Sequence, residues 1–255
     1  MGAPAVMRIR GGIMFRRAHA YAAIAATAAI AFAAPAAASP PVTPNPAITP
    51  GAGVSIHDAT GDGGGACTLG FLATGTDGSH YAFTAGHCAH DGNVLMPYQT
   101  QGNYQHIGQF AQSVHESTWP DIAAIRLDGT LPLDNRVLSR RPVTGVTSAI
   151  SANDTLCFYG MRSGRQCGEV IVPPSPGDDS VTFSSTAVPG DSGAPVYRIE
   201  KDGTATAVGI LKGGDDNWGA SATLIQPFLK KWDLTLDTTP RVPTPALPVG
   251  YQPSR

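Results

Sequence analysis

Apolar residues in this chain come in runs of three to eight, separated by glycine-rich turns, and that punctuation constrains the fold more than any other feature. The runs cover residues 67–74, 81–84, 107–110, 122–127, 170–172, 181–183, 194–199 and 205–211. Between them stand turn clusters such as Gly61-Asp62-Gly63-Gly64, Asp77-Gly78, Asp202-Gly203 and the stretch from Gly213 to Asn217. Short runs at regular spacing with such turns predict an all-β sandwich or barrel. Asp202-Gly203, set between two apolar runs, is the clearest hairpin signal. Only residues 225–232 read as a helix. The 30 Gly and 22 Pro of this 255-residue chain fit the same reading, and 42% hydrophobic content with a net charge of −2 excludes a disordered chain. No basic patch with interleaved aromatics points to nucleic acid.

The charge balance conceals an address. Arg8, Arg10, Arg16 and Arg17 precede any acidic residue, and without them the chain has 13 basic against 19 acidic groups. Arg16-Arg17, the Ala-rich stretch 20–34 and Ala36-Ala37-Ala38 read as a secretory signal peptide over residues 1–38, with Met14 as an alternative start. The apolar stretch is too short for a stable membrane anchor. Residues 39–53 hold five Pro and no charge, so they read as a linker rather than core, and residues 238–255 read as a Pro-rich disordered tail. The folded part is then about residues 54–237.

Export changes the meaning of the four Cys. In an oxidising compartment an even count favours disulfides, and four Cys allow three pairings. Pairing nearest neighbours gives Cys67–Cys88 and Cys157–Cys167. The rival is a metal site built on the H-x-x-H spacing of His87 and His90, but the C-x-x-C half of a zinc motif is absent, so no metal is expected.

Three segments carry chemistry: Phe83-Thr84-Ala85-Gly86-His87-Cys88, Trp119-Pro120-Asp121-Ile122-Ala123, and Pro189-Gly190-Asp191-Ser192-Gly193-Ala194. A serine hydroxyl needs a base to become a nucleophile, and the base needs a buried carboxylate to fix its tautomer. His87, Asp121 and Ser192 supply one of each. Taken singly they could be a packed histidine, a turn aspartate and a loop serine. The order His, Asp, Ser separates the chain from subtilisin-like enzymes and from α/β-hydrolases.

Together these segments resemble those of the chymotrypsin-like serine proteases, and most closely the secreted bacterial branch of streptogrisin and α-lytic type. Cys67-Thr68-Leu69-Gly70-Phe71 with Gly86-His87-Cys88 resembles that branch's first disulfide-closed strand pair, and Cys157 to Cys167-Gly168 resembles its second. The resemblance implies two six-stranded antiparallel β-barrels, about residues 54–138 and 139–237, with a short C-terminal helix. It implies a secreted, monomeric serine endopeptidase acting on protein or peptide substrates without a cofactor. His87, Asp121 and Ser192 would be catalytic, the backbone N–H groups of Gly190 and Ser192 would form the oxyanion hole, and Thr186, Lys212, Gly213 and Gly214 would line the substrate site.

The match departs from the family in three places. Thr186 and Trp218 stand where bacterial relatives carry a third disulfide. Phe158 stands where they carry the Arg that pairs with the carboxylate before the nucleophile, so Asp191 needs another cation, with Arg162 or Arg165 expected ahead of a new amine near Val54. Lys212 replaces a family Ser: facing solvent it is neutral to specificity, and turned inward it would favour cleavage after an acidic residue. Phe158 and Lys212 also motivate an alternative, an inactive pseudoprotease that binds peptides.

Overall fold

The computed structural model describes residues 47–58, 65–90, 92–97, 104–116, 120–215 and 217–239. The signal peptide, the first part of the linker, nearly all of the tail, the turn at 61–64, Trp119 and Asp216 lie outside the described residues. Seven strands come first: β1 (Gly53–Asp58), β2 (Gly65–Thr68), β3 (Leu72–Gly75), β4 (His80–Thr84), β5 (Gly92–Pro97), β6 (Tyr104–His115) and β7 (Asp121–Leu127). Then follow β8 (Val143–Val146), β9 (Thr155–Gly160), β10 (Gly164–Val172), β11 (Ser180–Phe183), β12 (Pro195–Ile199), β13 (Ala205–Asp215) and β14 (Gly219–Leu224). The chain closes with the helix α1 (Ile225–Lys231) and β15 (Leu234–Leu236).

The first sheet runs β15-β3-β4-β7-β6-β5-β1-β2. Strand β2 at one margin and β3, covered by β15 near the other, are two halves of one apolar run broken at Leu69-Gly70-Phe71. Gly70 is needed at the bend, because a Cβ there would lie 2.4 Å from Ile210 Cδ1 and 3.0 Å from the Gly193 carbonyl. In the second half, β12-β9-β10-β11-β14-β13 closes through β12–β13 pairing into a six-stranded barrel. The Asp202-Gly203 hairpin joins β12 to β13 with Ile199 opposite Ala205, and Gly203 takes a left-handed φ of 81°. One pair departs from the antiparallel expectation: β8 lies parallel to β13.

Core clusters fill the first sheet (Ile48, Val54, Leu69, Ile107, Ile125) and the second barrel (Leu156, Phe158, Val170, Phe183, Leu211). A further cluster joins residues from both halves: Phe71, Phe83, Ile122, Tyr197, Ile210 and Phe228. Strand β7 therefore reads Ile-Ala-Ala-Ile, buried on both faces, rather than alternating.

Two flanking stretches pack on the first sheet. Within residues 39–53, Ile48 is fully buried, its N–H donates to Pro132 O, and its carbonyl accepts from Asp134. Thr49, Pro50 and Gly51 are buried beside it, and the Gly51 N–H donates to Leu69 O. After the second barrel, α1 turns the chain back, and β15 pairs with β3 of the first sheet. The helix ends at Lys231, and Trp232 caps it and stacks on Phe83 with ring centroids 5.9 Å apart.

Candidate active site

His87 sits in a single 3₁₀ turn, Gly86–Cys88, just after β4. A Cβ on Gly86 would lie 2.1 Å from the Val114 carbonyl and 2.9 Å from Asp121 Oδ1, so only glycine lets this turn settle against β6 and β7. The Cys67–Cys88 disulfide pins the same turn to β2. Asp121 heads β7 and is fully buried. Its Oδ2 accepts from His87 Nδ1 at 2.7 Å, and its Oδ1 accepts from the His87 backbone N–H at 2.7 Å. An ionised carboxylate only accepts, so Nδ1 carries the proton and Nε2 keeps a lone pair facing away from Asp121. Burial pushes the Asp121 carboxyl up, but the His87 hydrogen bonds and charge, with the nearby His115, outweigh it and hold the group below its ordinary range. Thr223 of β14 fixes the Asp121 backbone: its Oγ1 accepts from Asp121 N–H at 3.0 Å and donates to Asp121 O at 3.2 Å.

Ser192 lies in a tight turn before β12. Gly193 beside it has a φ of 91°, and a Cβ there would lie 2.1 Å from Thr84 Oγ1 and 3.0 Å from the Ala85 nitrogen. The serine turn thus abuts the residues leading to His87. Thr68 of β2 fastens it from the other side: its N–H donates to Ser192 O at 2.8 Å, and its Oγ1 donates to Gly190 O at 2.8 Å while accepting from Met161 N–H at 3.0 Å. Gly190 takes a φ of 102°. Among the described residues, the N–H groups of Gly190 and Ser192 have no acceptor, and Ser192 Oγ makes no hydrogen bond to His87. Contacts of that kind are often long without substrate and tighten in the Michaelis complex.

The expected cationic partner of Asp191 is corrected. Among the described residues no guanidinium pairs with it. Oδ1 accepts from the backbone N–H groups of Arg162 and Ser163, each at 3.0 Å, and Oδ2 from that of Val188 at 3.0 Å. Three aligned N–H dipoles replace the cation. Arg162 contributes through its main chain, and Val54 is an interior residue of β1, paired with Cys67. Room for the carboxylate comes from Gly160, where a Cβ would lie 2.1 Å from Asp191 Oδ1. Phe158 is part of the barrel core, edge to face with Phe183.

Of the expected substrate residues, Thr186 is exposed on the segment leading to Ser192. Lys212, half-buried, sits at the register shift of the β13–β14 ladder. Gly213 faces open space, whereas a Cβ on Gly214 would lie 2.4 Å from Gly219 O. The two disulfides are Cys67–Cys88 and Cys157–Cys167. Thr68, Gly160, Thr223 and His115 were missed by sequence reasoning. Thr68 stood beside a cysteine of the motif, but the other three carry no local signal.

Two β-domains of this topology, with a His–Asp pair from one beside a serine turn from the other, define a chymotrypsin-like serine protease. Relatives agree. The chain is 30% identical over 172 residues to Serine protease 2 of Streptomyces fradiae, covering 63% of this chain and 94% of that protein. It is therefore a member of the bacterial chymotrypsin-like serine proteases, a family of serine-type endopeptidases. The solved Nocardiopsis protease superposes with a TM-score of 0.55 at 26% identity, covering 75% of this chain and all of its own. Protease A of Thermobifida fusca shares the fold, with a TM-score of 0.57 at 22% identity over 76% of this chain and 100% of that one. No family model matches the chain.

Proposed function

We propose that the chain is exported through cleavage of residues 1–38 and acts outside the cell as an endopeptidase using His87, Asp121 and Ser192. The observation that carries this reading is the fully buried Asp121, bonded twice to His87, beside a serine turn with two unclaimed N–H groups. His87 Nε2 takes the proton of Ser192 Oγ as that oxygen attacks the scissile carbonyl. The charge that develops on the carbonyl oxygen is met by the N–H groups of Gly190 and Ser192, and loss of one such donor typically costs about 10²–10³ in rate. His87 then hands the proton to the leaving amine. Water, deprotonated by the same base, releases the acyl group from Ser192. Asp121 holds the tautomer throughout and stabilises the imidazolium.

Thr186, Lys212, Gly213 and Gly214 bind the peptide, with the main chain of β13 pairing with the substrate. Two disulfides in a chain with a signal-like start support an oxidising destination. The test is cleavage of an unbiased peptide library by the secreted protein, with Ser192→Ala beside it. The reading expects cleavage that Ser192→Ala lowers by at least about 10³-fold. Equal cleavage by both would refute it, and binding without cleavage by the folded protein would make it a peptide-binding module.

A further inference from the structure

His115 has no task in that mechanism, yet it sits against the same carboxylate. It ends β6, directly opposite Asp121 in the β6–β7 register. Its Nδ1 lies 3.3 Å from Asp121 Oδ1, and its ring meets that of His87 edge to face with centroids 5.9 Å apart. The His115 side chain is 49% exposed and that of His87 36%, so solvent reaches both imidazoles while the carboxylate lies beneath them. One nitrogen of each ring and one Asp121 oxygen lie within 4.8 Å of one another.

We propose that His87, His115 and Asp121 form a site for a divalent transition-metal ion of the zinc class, and that its occupancy switches the peptidase off. Two imidazoles and a carboxylate, with a fourth position open to water, are a common three-ligand set for zinc. Bonds of about 2.0–2.1 Å in a tetrahedral set place donor atoms about 3.4 Å apart, so the widest pair must draw together by no more than about 1.5 Å. Rotation of two half-exposed rings supplies that movement. The buried carboxylate offsets part of the ion's charge.

The inhibitory logic follows from the tautomer. In the free dyad His87 Nδ1 holds a proton donated to Asp121, and Nε2 holds the lone pair that would receive the serine proton. An ion taken at Nδ1 forms a dative bond there, and the displaced proton moves to Nε2, with no net proton released and no redox change. The lone pair that would receive the serine proton is then occupied, and the base is lost. Metal would therefore act here as an inhibitor, not as a cofactor of the reaction.

The inhibition rests on the proposed triad; the binding does not, so the two are tested separately. Binding is measured on the secreted, EDTA-treated chain carrying Ser192→Ala, by calorimetric titration with zinc chloride and by the visible absorption of added cobalt(II). The expected result is one ion per chain, with affinity reduced about 10–100-fold or more by His115→Ala and by His115→Gln. His106→Ala serves as control, since His106 pairs with Asp128 at 2.9 Å away from the dyad. Zinc affinity unchanged in both folded His115 variants, or a loss equal to that of the control, would overturn the site. With Ser192 intact, zinc should inhibit cleavage, EDTA should restore it, and His115→Gln should raise the half-inhibiting zinc concentration by a similar factor, each chain normalised to its own metal-free rate. Binding without inhibition of an active chain would overturn the switch. Binding to a chain without Ser192-dependent cleavage would leave the site standing and remove the peptidase reading.

Discussion

Among the described residues, Asp191 keeps a buried carboxylate without a cation, and the three N–H groups around it come from the β9–β10 turn and from Val188, just before the serine turn. Its geometry depends on a hydrogen atom at Gly160. Gly160→Ala should push the carboxylate off its donors, disturb the Gly190 and Ser192 N–H groups, and lower kcat by about 10²–10³-fold, the size of a lost oxyanion donor. Burst kinetics on an activated ester would separate slowed acylation from simple loss of folded protein. Asp121→Asn should preserve packing but permit the wrong His87 tautomer, lowering kcat by about 10⁴-fold as in the best-studied serine protease triad. Away from the site, the Arg136 side chain holds the Asp134 carboxyl below its usual range against a burial that pushes it up, with the Arg136 backbone N–H assisting. A depressed carboxyl contributes stability above its unfolded value of about 3.9, and that contribution is lost as pH falls through the lower folded value. Urea midpoints should therefore show Asp134→Asn destabilised at neutral pH, with the gap to the parent closing under acid conditions. A gap independent of pH would contradict this.

Single threonines tie together elements far apart in sequence. Thr223 of β14 exchanges two hydrogen bonds with the Asp121 backbone at the start of β7, joining the barrel to the curled sheet. Thr223→Val keeps the shape and strands a buried N–H, so unfolding free energy should fall by about 1–3 kcal/mol, while Thr223→Ser should recover most of it. Thr68 does the same for the serine turn. None of this was legible in the sequence, because both ties depend on strand register across more than 90 residues. His115 was hidden for the same reason: only the β6–β7 pairing sets it opposite Asp121. What was legible is local. The helix, the Asp202-Gly203 hairpin and the nearest-neighbour disulfides each announce themselves within about 20 residues. The three motif segments were recognisable by residue type and order, so the His–Asp contact could be expected before its distances were known.

At the scale of the molecule, residues near both limits of the described segment pack on the first sheet. Ile48 docks beside Pro132, β15 adds to β3, and Thr74 Oγ1 donates to Asp237 at 2.7 Å. The first contact could not be read from a Pro-rich flank whose composition outweighs a few buried residues, and the other two depend on register across more than 150 residues. Leu236→Ala should cost about 2–5 kcal/mol, as for other buried leucines, and chemical denaturation would measure it. The Cys67–Cys88 bond closes a loop with a sequence separation of 21, and removing it should cost about 3 kcal/mol in the loop-entropy account. Since Cys88 adjoins His87, activity should fall with it. All of these contacts converge on one arrangement, a serine turn held against a His–Asp pair. The most direct measurement of that claim is labelling of the EDTA-treated, secreted chain with a fluorophosphonate, followed by peptide mapping. The account predicts one label per chain, on Ser192, abolished by His87→Ala as well as by Ser192→Ala. Stoichiometric labelling at another residue, or none on a folded chain that cleaves peptides, would contradict it.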